Sequence, residues 1–332
     1  MMKLTDFDYY LPRDLIAQYP LKKRDAVKLL VLNRKSKKIE HRIFKDITDY
    51  LEKDDLLVLN DTMVLSCRLK AKRLTGGKVE LLLLNQNQND NRTFDALIKP
   101  SRIKIGEKII FDGGKIYGTV SAEKQITFST ASINTIYNLG MMPLPPYIKR
   151  EPEKLDNICY QTVYAVNPGA IASPTAGLHF TKELMKRIKS KSINLGFLTL
   201  HIGYSTFKPV KSEDVTEHRM EKEYFNIPES TQRLIEEAQY KKSRIVAVGT
   251  TSLRALESYD SKMKDGYTDL FIYPGYKFKL VDCLLTNFHL PRTTLFILAC
   301  AFAGNKLIKK AYQEAIDKKY RFYSYGDAML II

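Results

Sequence analysis

Four of the five histidines lie in short segments crowded with glycine, proline, threonine and asparagine. These are Pro174-Thr-Ala-Gly-Leu-His179-Phe180, Leu200-His201-Ile-Gly203, Glu217-His218-Arg-Met-Glu-Lys-Glu223 and Thr286-Asn-Phe-His289-Leu-Pro291. Imidazole exchanges protons near neutral pH, and loop residues held by a rigid scaffold commonly carry function. Taken singly, each reads best as a hydrogen-bonded structural histidine; four in such settings point towards a shared polar cleft. A metal site is the competing use of the same side chains. No pair has the spacing of a helix-borne metal motif, and Glu221 and Glu223 after His218 do not complete one.

A second chemical signal is Arg244-Ile-Val-Ala-Val-Gly-Thr-Thr-Ser-Leu-Arg254, which reads as a buried strand, a tight glycine turn and a helix start rich in hydroxyls. Such a helix N-terminus presents unpaired N–H groups and the positive end of a dipole, suited to a carboxylate, a phosphate or a ribose hydroxyl. Arg254 falls one turn in, where a planar guanidinium reinforces anion binding. The structural alternative is equally concrete: Thr250 or Thr251 is an N-cap, and Arg254 pairs with Glu257 or Asp260. There is no G-x-G-x-x-G after a strand and no G-x-x-x-x-G-K-[ST] loop, so neither a dinucleotide fold nor a P-loop kinase is supported.

The elements that must position these residues follow from hydrophobic patterning. Residues 28–32 and 56–60 read as buried strands with a short helix over 43–52 between them, an α/β opening. From Met63 the texture changes to short alternating segments at 64–69, 78–84, 93–98, 108–111, 116–120 and 125–128. Gly76-Gly77, Asp112-Gly113-Gly114 and the polar stretch 85–91, read as a surface loop, separate them. Strands at that spacing predict a small antiparallel barrel or sandwich, closed by the proline-rich 141–147. After it the α/β pattern returns: a helix capped by Thr181 and running to 190, a strand at 195–202, a helix at 230–242, a strand at 244–249, a helix at 251–259, a strand at 269–273 and a mostly helical 293–320. The expected fold class is an α/β main domain (1–62 and 148–332) interrupted by an inserted antiparallel β-barrel domain (63–147).

Composition bounds the partners. The 332 residues are ample for two domains, and 44% hydrophobic with 27% charged residues is an ordinary globular balance. Lys and Arg number 53 against 37 Asp and Glu, a formal charge of +16. That surplus favours a polyanionic partner, nucleic acid or an acidic membrane surface, unless it reflects a generally Lys-rich proteome. The cysteines, Cys67, Cys159, Cys283 and Cys300, lack C-x-x-C spacing and read as buried thiols of a reducing compartment. Residues 1–10 do not have a signal peptide's pattern, and the longest apolar run, 295–303, is too short for a bilayer. A cytoplasmic protein is expected.

Taken together, the same segments resemble the S-adenosylmethionine:tRNA ribosyltransferase-isomerases of queuosine biosynthesis. The matching stretches begin with Asp6-Phe-Asp-Tyr-Tyr-Leu-Pro12, Leu59-Asn-Asp-Thr62 and Gly76-Gly-Lys-Val-Glu-Leu-Leu82. They continue through 174–180, 200–210, 248–258, 271–278 and 286–291, and end with Tyr320-Arg-Phe-Tyr-Ser-Tyr-Gly-Asp-Ala-Met329. Each is weak alone; in this order over nearly the whole chain they are specific. Met63 departs from the family's usual Arg, Ser66-Cys67 from Pro-Ala, Tyr204-Ser205 from a smaller pair, and Glu221 from a second histidine. Met63 supplies no ionic contact there and Glu221 no cation.

The resemblance implies an enzyme that adds the ribosyl moiety of S-adenosylmethionine to 7-aminomethyl-7-deazaguanine at the wobble position of tRNA. The products are epoxyqueuosine, adenine and methionine. The implied partners are that tRNA and S-adenosylmethionine as co-substrate, with no true cofactor, no metal, no membrane and a monomeric state. Such chemistry needs a general base, a proton source for adenine and an anion cradle for the methionine carboxylate. On that basis His179, His218 and His289 are candidates for proton transfer, with Asp61 and Glu223 as carboxylate partners. Thr250, Thr251 and Arg254 are candidates for the cradle, and Asn60, Thr175, His201, Ser252, Tyr276 and Asn287 for further substrate contacts. Arg68, Lys70, Lys72, Arg73 and Lys78 are candidates for RNA binding. Two rival readings are an enzyme on free nucleosides or sugars and a non-catalytic RNA-binding protein.

Overall fold

A computed structural model describes residues 1–87, 89–204, 210–260 and 264–332. Ser205, part of the 200–210 stretch and one position of the 85–91 stretch lie outside the described residues. The chain divides into two compact units: residues 1–63, 146–150 and 161–332, and residues 64–145 with 151–160.

The first unit is built on a nine-stranded mixed sheet. Its strands are β1 (Lys28–Leu32), β2 (Ile39–Ile43), β3 (Leu56–Asn60), β13 (Asn194–Leu200), β14 (Glu223–Asn226), β15 (Ile245–Val248), β16 (Asp265–Thr268), β17 (Cys283–Asn287) and β18 (Ala328–Ile331), in the order β16-β14-β13-β3-β15-β17-β18-β1-β2. The centre, β13-β3-β15-β17, is parallel, with Leu59 opposite Val248, Val248 opposite Leu285, and Leu198 opposite Asn60. These strands are apolar without alternation because both faces are covered. Leu56, Val58, Leu198, Leu200, Ala247 and Leu284 pack into one core, while Leu57, Leu59, Val246, Val248 and Leu285 pack into another. The first core also takes residues of α4 (Glu229–Lys241), α5 (Thr250–Ser258), α6 (Thr294–Ala303) and α7 (Asn305–Asp317). The second takes Leu184 and Ile188 of α3 (Lys182–Ser190), with Phe44, Ile47 and Ala176 from 3-10 turns and Phe180 just after one. Thr181 caps α3 through its side chain, as its sequence position predicts.

The second unit is a closed barrel. Strands β5 (Arg68–Arg73), β6 (Lys78–Gln86), β7 (Thr93–Lys99), β8 (Lys108–Phe111), β9 (Ile116–Ala122) and β10 (Gln125–Phe128) pair antiparallel in the order β5-β6-β7-β10-β9-β8, and β8 returns to β5 through Lys72 opposite Ile110. A short β11 (Gly140–Met141) adds to β5, and two short helices, α1 (Ile133–Asn138) and α2 (Asp156–Cys159), complete the unit. Alternate residues point inward, so Leu69, Ala71, Val79, Leu81, Leu83, Phe94 and Phe128 fill the interior. Phe94 and Phe128 meet edge to face with centroids 5.8 Å apart. The expected fold class, an α/β unit with an antiparallel barrel, is therefore observed.

Several elements differ from the sequence reading. Residues 269–273 carry no strand; the strand is β16, just before them. Asp265-Gly-Tyr-Thr268 lacks an apolar pattern, and β16 forms because β14 offers it an edge, Glu223 opposite Thr268. The expected 64–69 strand splits into β4 (Thr62–Val64), paired with β12 (Asn167–Ala170), and β5. The 43–52 helix is a 3-10 segment, Phe44–Asp49, and β6 runs on into the polar stretch as far as Gln86. Cys67, Cys283 and Cys300 are buried free thiols, whereas Cys159 is half-buried. Among the described residues no helix is long and apolar enough to cross a membrane, and no group of three His, Cys, Asp or Glu could hold a metal ion.

Candidate active site

In open sheets with parallel strands, ligands bind beyond the carboxyl ends of those strands. Here four such ends lie side by side, and they carry Asn60 at the end of β3 with Asp61 after it, His201 after β13, Gly249 to Thr251 after β15, and Asn287 at the end of β17. Asn60, fully buried, donates to the carbonyl of Leu200 at 2.9 Å and to Thr251 Oγ1 at 3.3 Å, and accepts from Leu200 N–H at 3.0 Å. It ties two strand ends to the start of α5. Asp61 accepts from Thr199 Oγ1 at 2.7 Å and from Asn167 Nδ2 at 3.1 Å.

At the start of α5 the N-cap is Gly249, at φ +92°, and not Thr250 or Thr251. An L side chain is strained at that φ, which is why the turn uses glycine. Both threonines are buried in the first turn, and Ser252 spends its hydroxyl on the carbonyl of Val248 at 2.8 Å. Arg254, 5% exposed, pairs with neither Glu257 nor Asp260. Its Nη1 binds Glu223 Oε2, and its Nε donates to the carbonyl of Leu270 at 3.0 Å. Glu223, also buried, accepts Gly203 N–H at 2.9 Å. Thr250, Thr251 and Arg254 line a narrow cleft together with Met220, Leu270, Phe271, Ile272, Thr294, Leu295 and Leu298.

The opposite face of the sheet holds a second polar group. Asn287 Nδ2 lies 3.0 Å from His179 Nε2, and its Oδ1 accepts the Thr175 hydroxyl at 2.9 Å. Burial, reinforced by the charges of Arg24 and Arg321, pushes the His179 pKa down to about 3. His289 is also buried, with Nε2 2.8 Å from Thr286 Oγ1 and a pKa driven to about 3 by burial. Its backbone N–H donates to Tyr312 Oη at 3.0 Å, and Tyr9 Oη donates to its carbonyl.

The two remaining histidines are more open. His201 Nδ1 is 2.8 Å from Thr62 Oγ1, and its ring stacks on Tyr224 with centroids 5.8 Å apart. Burial lowers its pKa, with Asp61 opposing the shift. His218 meets Phe271 edge-on at 5.1 Å, and burial lowers its pKa as well. The four histidines share no hydrogen-bonding or ring partner among the described residues. Side-chain alternation sets one of them apart, since the α5 cleft opens on one face of the sheet and His179 and Asn287 sit on the other.

Tyr276 belongs to a further group, where its hydroxyl donates to Glu257 Oε2 at 3.2 Å and burial and Glu257 push its pKa up to about 12. The N–H groups of Lys279, Leu280 and Val281 also bind Glu257, which the sequence offered only as a partner for Arg254. Phe271, Ile272 and Thr294 were missed too. The paired hydroxyls Thr293-Thr294 before an apolar helix are a start signal comparable to Thr250-Thr251 and could have singled out the last.

On the barrel, Arg68 and Lys70 engage acids: Arg68 Nε is 2.6 Å from Glu80 and Lys70 is 3.0 Å from Glu151. Arg73 is 3.4 Å from Glu107. Lys72 and Lys78 are exposed and directly opposite each other on β5 and β6, and neither has an acidic partner among the described residues.

Comparison with known proteins is consistent along the whole chain. A family model described as queuosine biosynthesis protein matches residues 4–331. The S-adenosylmethionine:tRNA ribosyltransferase-isomerase of Sulfurihydrogenibium sp. (strain YO3AOP1) is 49% identical over 338 residues, covering all of both chains. That of Aquifex aeolicus (strain VF5) is 47% identical over 343 residues, again covering all of both. The crystal structure of S-adenosylmethionine tRNA ribosyltransferase from Thermotoga maritima is 36% identical, with a TM-score of 0.58, over 98% of this chain and 100% of that one. The chain therefore belongs to the queuosine biosynthesis protein family, that of the S-adenosylmethionine:tRNA ribosyltransferase-isomerases, and is an enzyme.

Proposed function

We propose that the enzyme transfers and isomerises the ribosyl moiety of S-adenosylmethionine onto 7-aminomethyl-7-deazaguanine at the wobble position of tRNA, giving epoxyqueuosine and releasing adenine and methionine. The observation that carries this reading is the gathering of Asn60, Asp61, His201, Thr250 and Thr251 at adjoining strand ends, beside a cleft that contains a buried guanidinium. The sulfonium acidifies the neighbouring ribose carbon, so a base removes that proton, adenine leaves, and the amine attacks the sugar before methionine departs. Catalysis then needs one group that accepts a proton and one that returns it.

Of the candidates, His201 and His218 fit proton transfer best. Both are partly open, and burial lowers their pKa values, which keeps the imidazole neutral and so free to accept a proton at physiological pH. His179 and His289 are buried and already hydrogen-bonded, which suits them to holding the strand ends in place. Asp61, beside His201 in charge, favours the imidazolium that proton removal creates. The barrel lysines Lys72 and Lys78, with Arg68, Lys70 and Arg73 behind their acidic partners, supply the phosphate-binding surface of the reading. The proposed enzyme works as a cytoplasmic monomer.

Incubation with S-adenosylmethionine and tRNA bearing the aminomethyl base tests the proposal. Adenine and methionine should appear only when that tRNA is present. Release without tRNA would instead identify an enzyme of free nucleosides, and binding without release a non-catalytic RNA-binding protein.

A further inference from the structure

Tyr19 is 49% exposed although the Arg150 guanidinium stands 4.1 Å from its ring centroid, so Arg150 does not close the ring off. The backbone beneath the ring is pinned. Gln18 accepts Arg150 Nε on its carbonyl at 3.0 Å and Lys149 N–H on its side-chain oxygen at 2.7 Å, and its amide nitrogen donates to the carbonyl of Tyr147 at 3.1 Å. Arg321 Nη2 donates to the carbonyl of Tyr19. Arg24 Nη1 ties the far end of the segment to the carbonyls of Gln161 and Leu178, at 2.8 and 3.2 Å. Between these anchors Lys22 and Lys23 are exposed, as is Lys149 on the neighbouring segment, and none of the three has an acidic partner among the described residues. Residues 18–24 and 146–150 hold five Lys or Arg and no Asp or Glu. Asp25 and Glu151 flank them, and Glu151 already pairs with Lys70 at 3.0 Å.

Lysines alone would suit any polyanion, but an open aromatic ring among them selects a narrower partner. Unpaired bases stack on such a ring while their phosphates meet the cations; a duplex cannot use it, because its base faces are buried in its own stack. A ring on a pinned backbone also loses little freedom when a base lands on it. We infer that Tyr19, Lys22, Lys23, Lys149 and Arg150 bind an unpaired stretch of RNA, with one base stacked on Tyr19 and the neighbouring phosphates on the three lysines. The inference takes its RNA partner from the proposed reaction and deepens that reading, adding a stacking surface on the α/β unit to the phosphate contacts of the barrel. Arg24 and Arg321, which anchor the strip, are also the cations whose charge bears on His179, so the strip borders the His179–Asn287 group.

The chain contains no tryptophan, so Tyr19→Trp puts a fluorophore that can be excited apart from the tyrosines at the proposed platform. In the full chain, an unmodified RNA hairpin with an unpaired loop should quench it, and the same stem as an uninterrupted duplex should not. Tyr19→Ala should weaken hairpin binding about five- to 150-fold with the salt slope unchanged, and Tyr19→Phe should bind as the parent does. Lys22→Ala and Lys23→Ala should each lower the log–log salt slope by about 0.7, the single-strand value per phosphate. Equal quenching by the duplex, a spectral shift with phosphatidylglycerol vesicles but no quenching by RNA, or unchanged hairpin affinity in Tyr19→Ala would each overturn the assignment. Adenine release from S-adenosylmethionine, with tRNA bearing the aminomethyl base, is followed in parallel on the parent. Release without loop-specific quenching removes the platform and leaves the reaction. Loop-specific quenching without release removes the reaction and leaves the platform.

Discussion

The side-chain nitrogen of Asn287 lies 3.0 Å from His179 Nε2 and also faces the carbonyls of Tyr323 and Asp327, at 3.3 and 3.4 Å. Carbonyls accept only, and the other amide atom of Asn287 accepts the Thr175 hydroxyl, so the nitrogen must be the donor to Nε2. His179 therefore carries its proton on Nδ1. Nitrogen NMR should report the Nδ1–H tautomer, persisting well below pH 6. Asn287→Asp would place a carboxylate against Nε2, and the His179 titration should then move up towards neutrality. An Nε2–H tautomer in the parent would contradict the assignment.

The Glu223–Arg254 pair should dominate local stability. Arg254→Ala leaves Glu223 buried without its cation, a defect of about 3–5 kcal/mol. The double variant Glu223→Gln with Arg254→Met should recover most of that loss, because no buried charge remains. Urea midpoints of the parent, the single variant and the double variant measure it; a double variant no better than the single one would show that packing is responsible.

Acid should destabilise the enzyme through its buried histidines. Both His179 and His289 have folded pKa values near 3, below the ordinary histidine value, so below about pH 6.5 the unfolded chain binds protons that the native state refuses. Stability is full above that pH and falls as the pH drops towards 3. Each histidine should remove about 2 kcal/mol between pH 7 and pH 5. Replacing His289 by Asn should make the pH dependence of the urea midpoint shallower by one such contribution, whatever it does to the midpoint at pH 7.

A Cβ added at Gly177 would stand 2.0 Å from the hydroxyl of Tyr164. That hydroxyl is buried with no partner among the described residues. Gly177→Ala should destabilise by about 1–3 kcal/mol through overpacking. Tyr164→Phe alone should be nearly neutral, since it removes an unsatisfied group, and combined with Gly177→Ala it should relieve part of the clash. Thermal melts of the three variants decide it, and a Tyr164→Phe loss above about 2 kcal/mol would reveal an unseen partner.

If the barrel grips tRNA phosphates, Lys72 and Lys78 should each contribute about one to the log–log slope of affinity against salt. Lys70, already beside Glu151, should contribute less. A salt series on the parent, on the Lys70, Lys72 and Arg73 triple alanine variant and on Lys78→Ala tests this. Superimposable slopes would send the search for the RNA surface to the α/β unit.

What the sequence determined by itself was periodicity and punctuation. Alternating apolar residues between glycine turns are enough for a barrel because each strand's inward set is local, and Thr181 could be read as a cap because capping is settled within four residues. The ordered motifs identified the family for a related reason, since they survive as contiguous words. Only the tertiary structure decided which words meet. β16 has no strand pattern and exists because β14 has an open edge. Arg254 pairs with Glu223, 31 positions away, and not with the helical neighbours that local spacing offered. His179 and the α5 cleft, neighbours in function by motif, fall on opposite faces because adjacent side chains of a strand point opposite ways. The low basicity of His179 and His289 also comes from burial, a property of the assembled core that no residue type or spacing encodes.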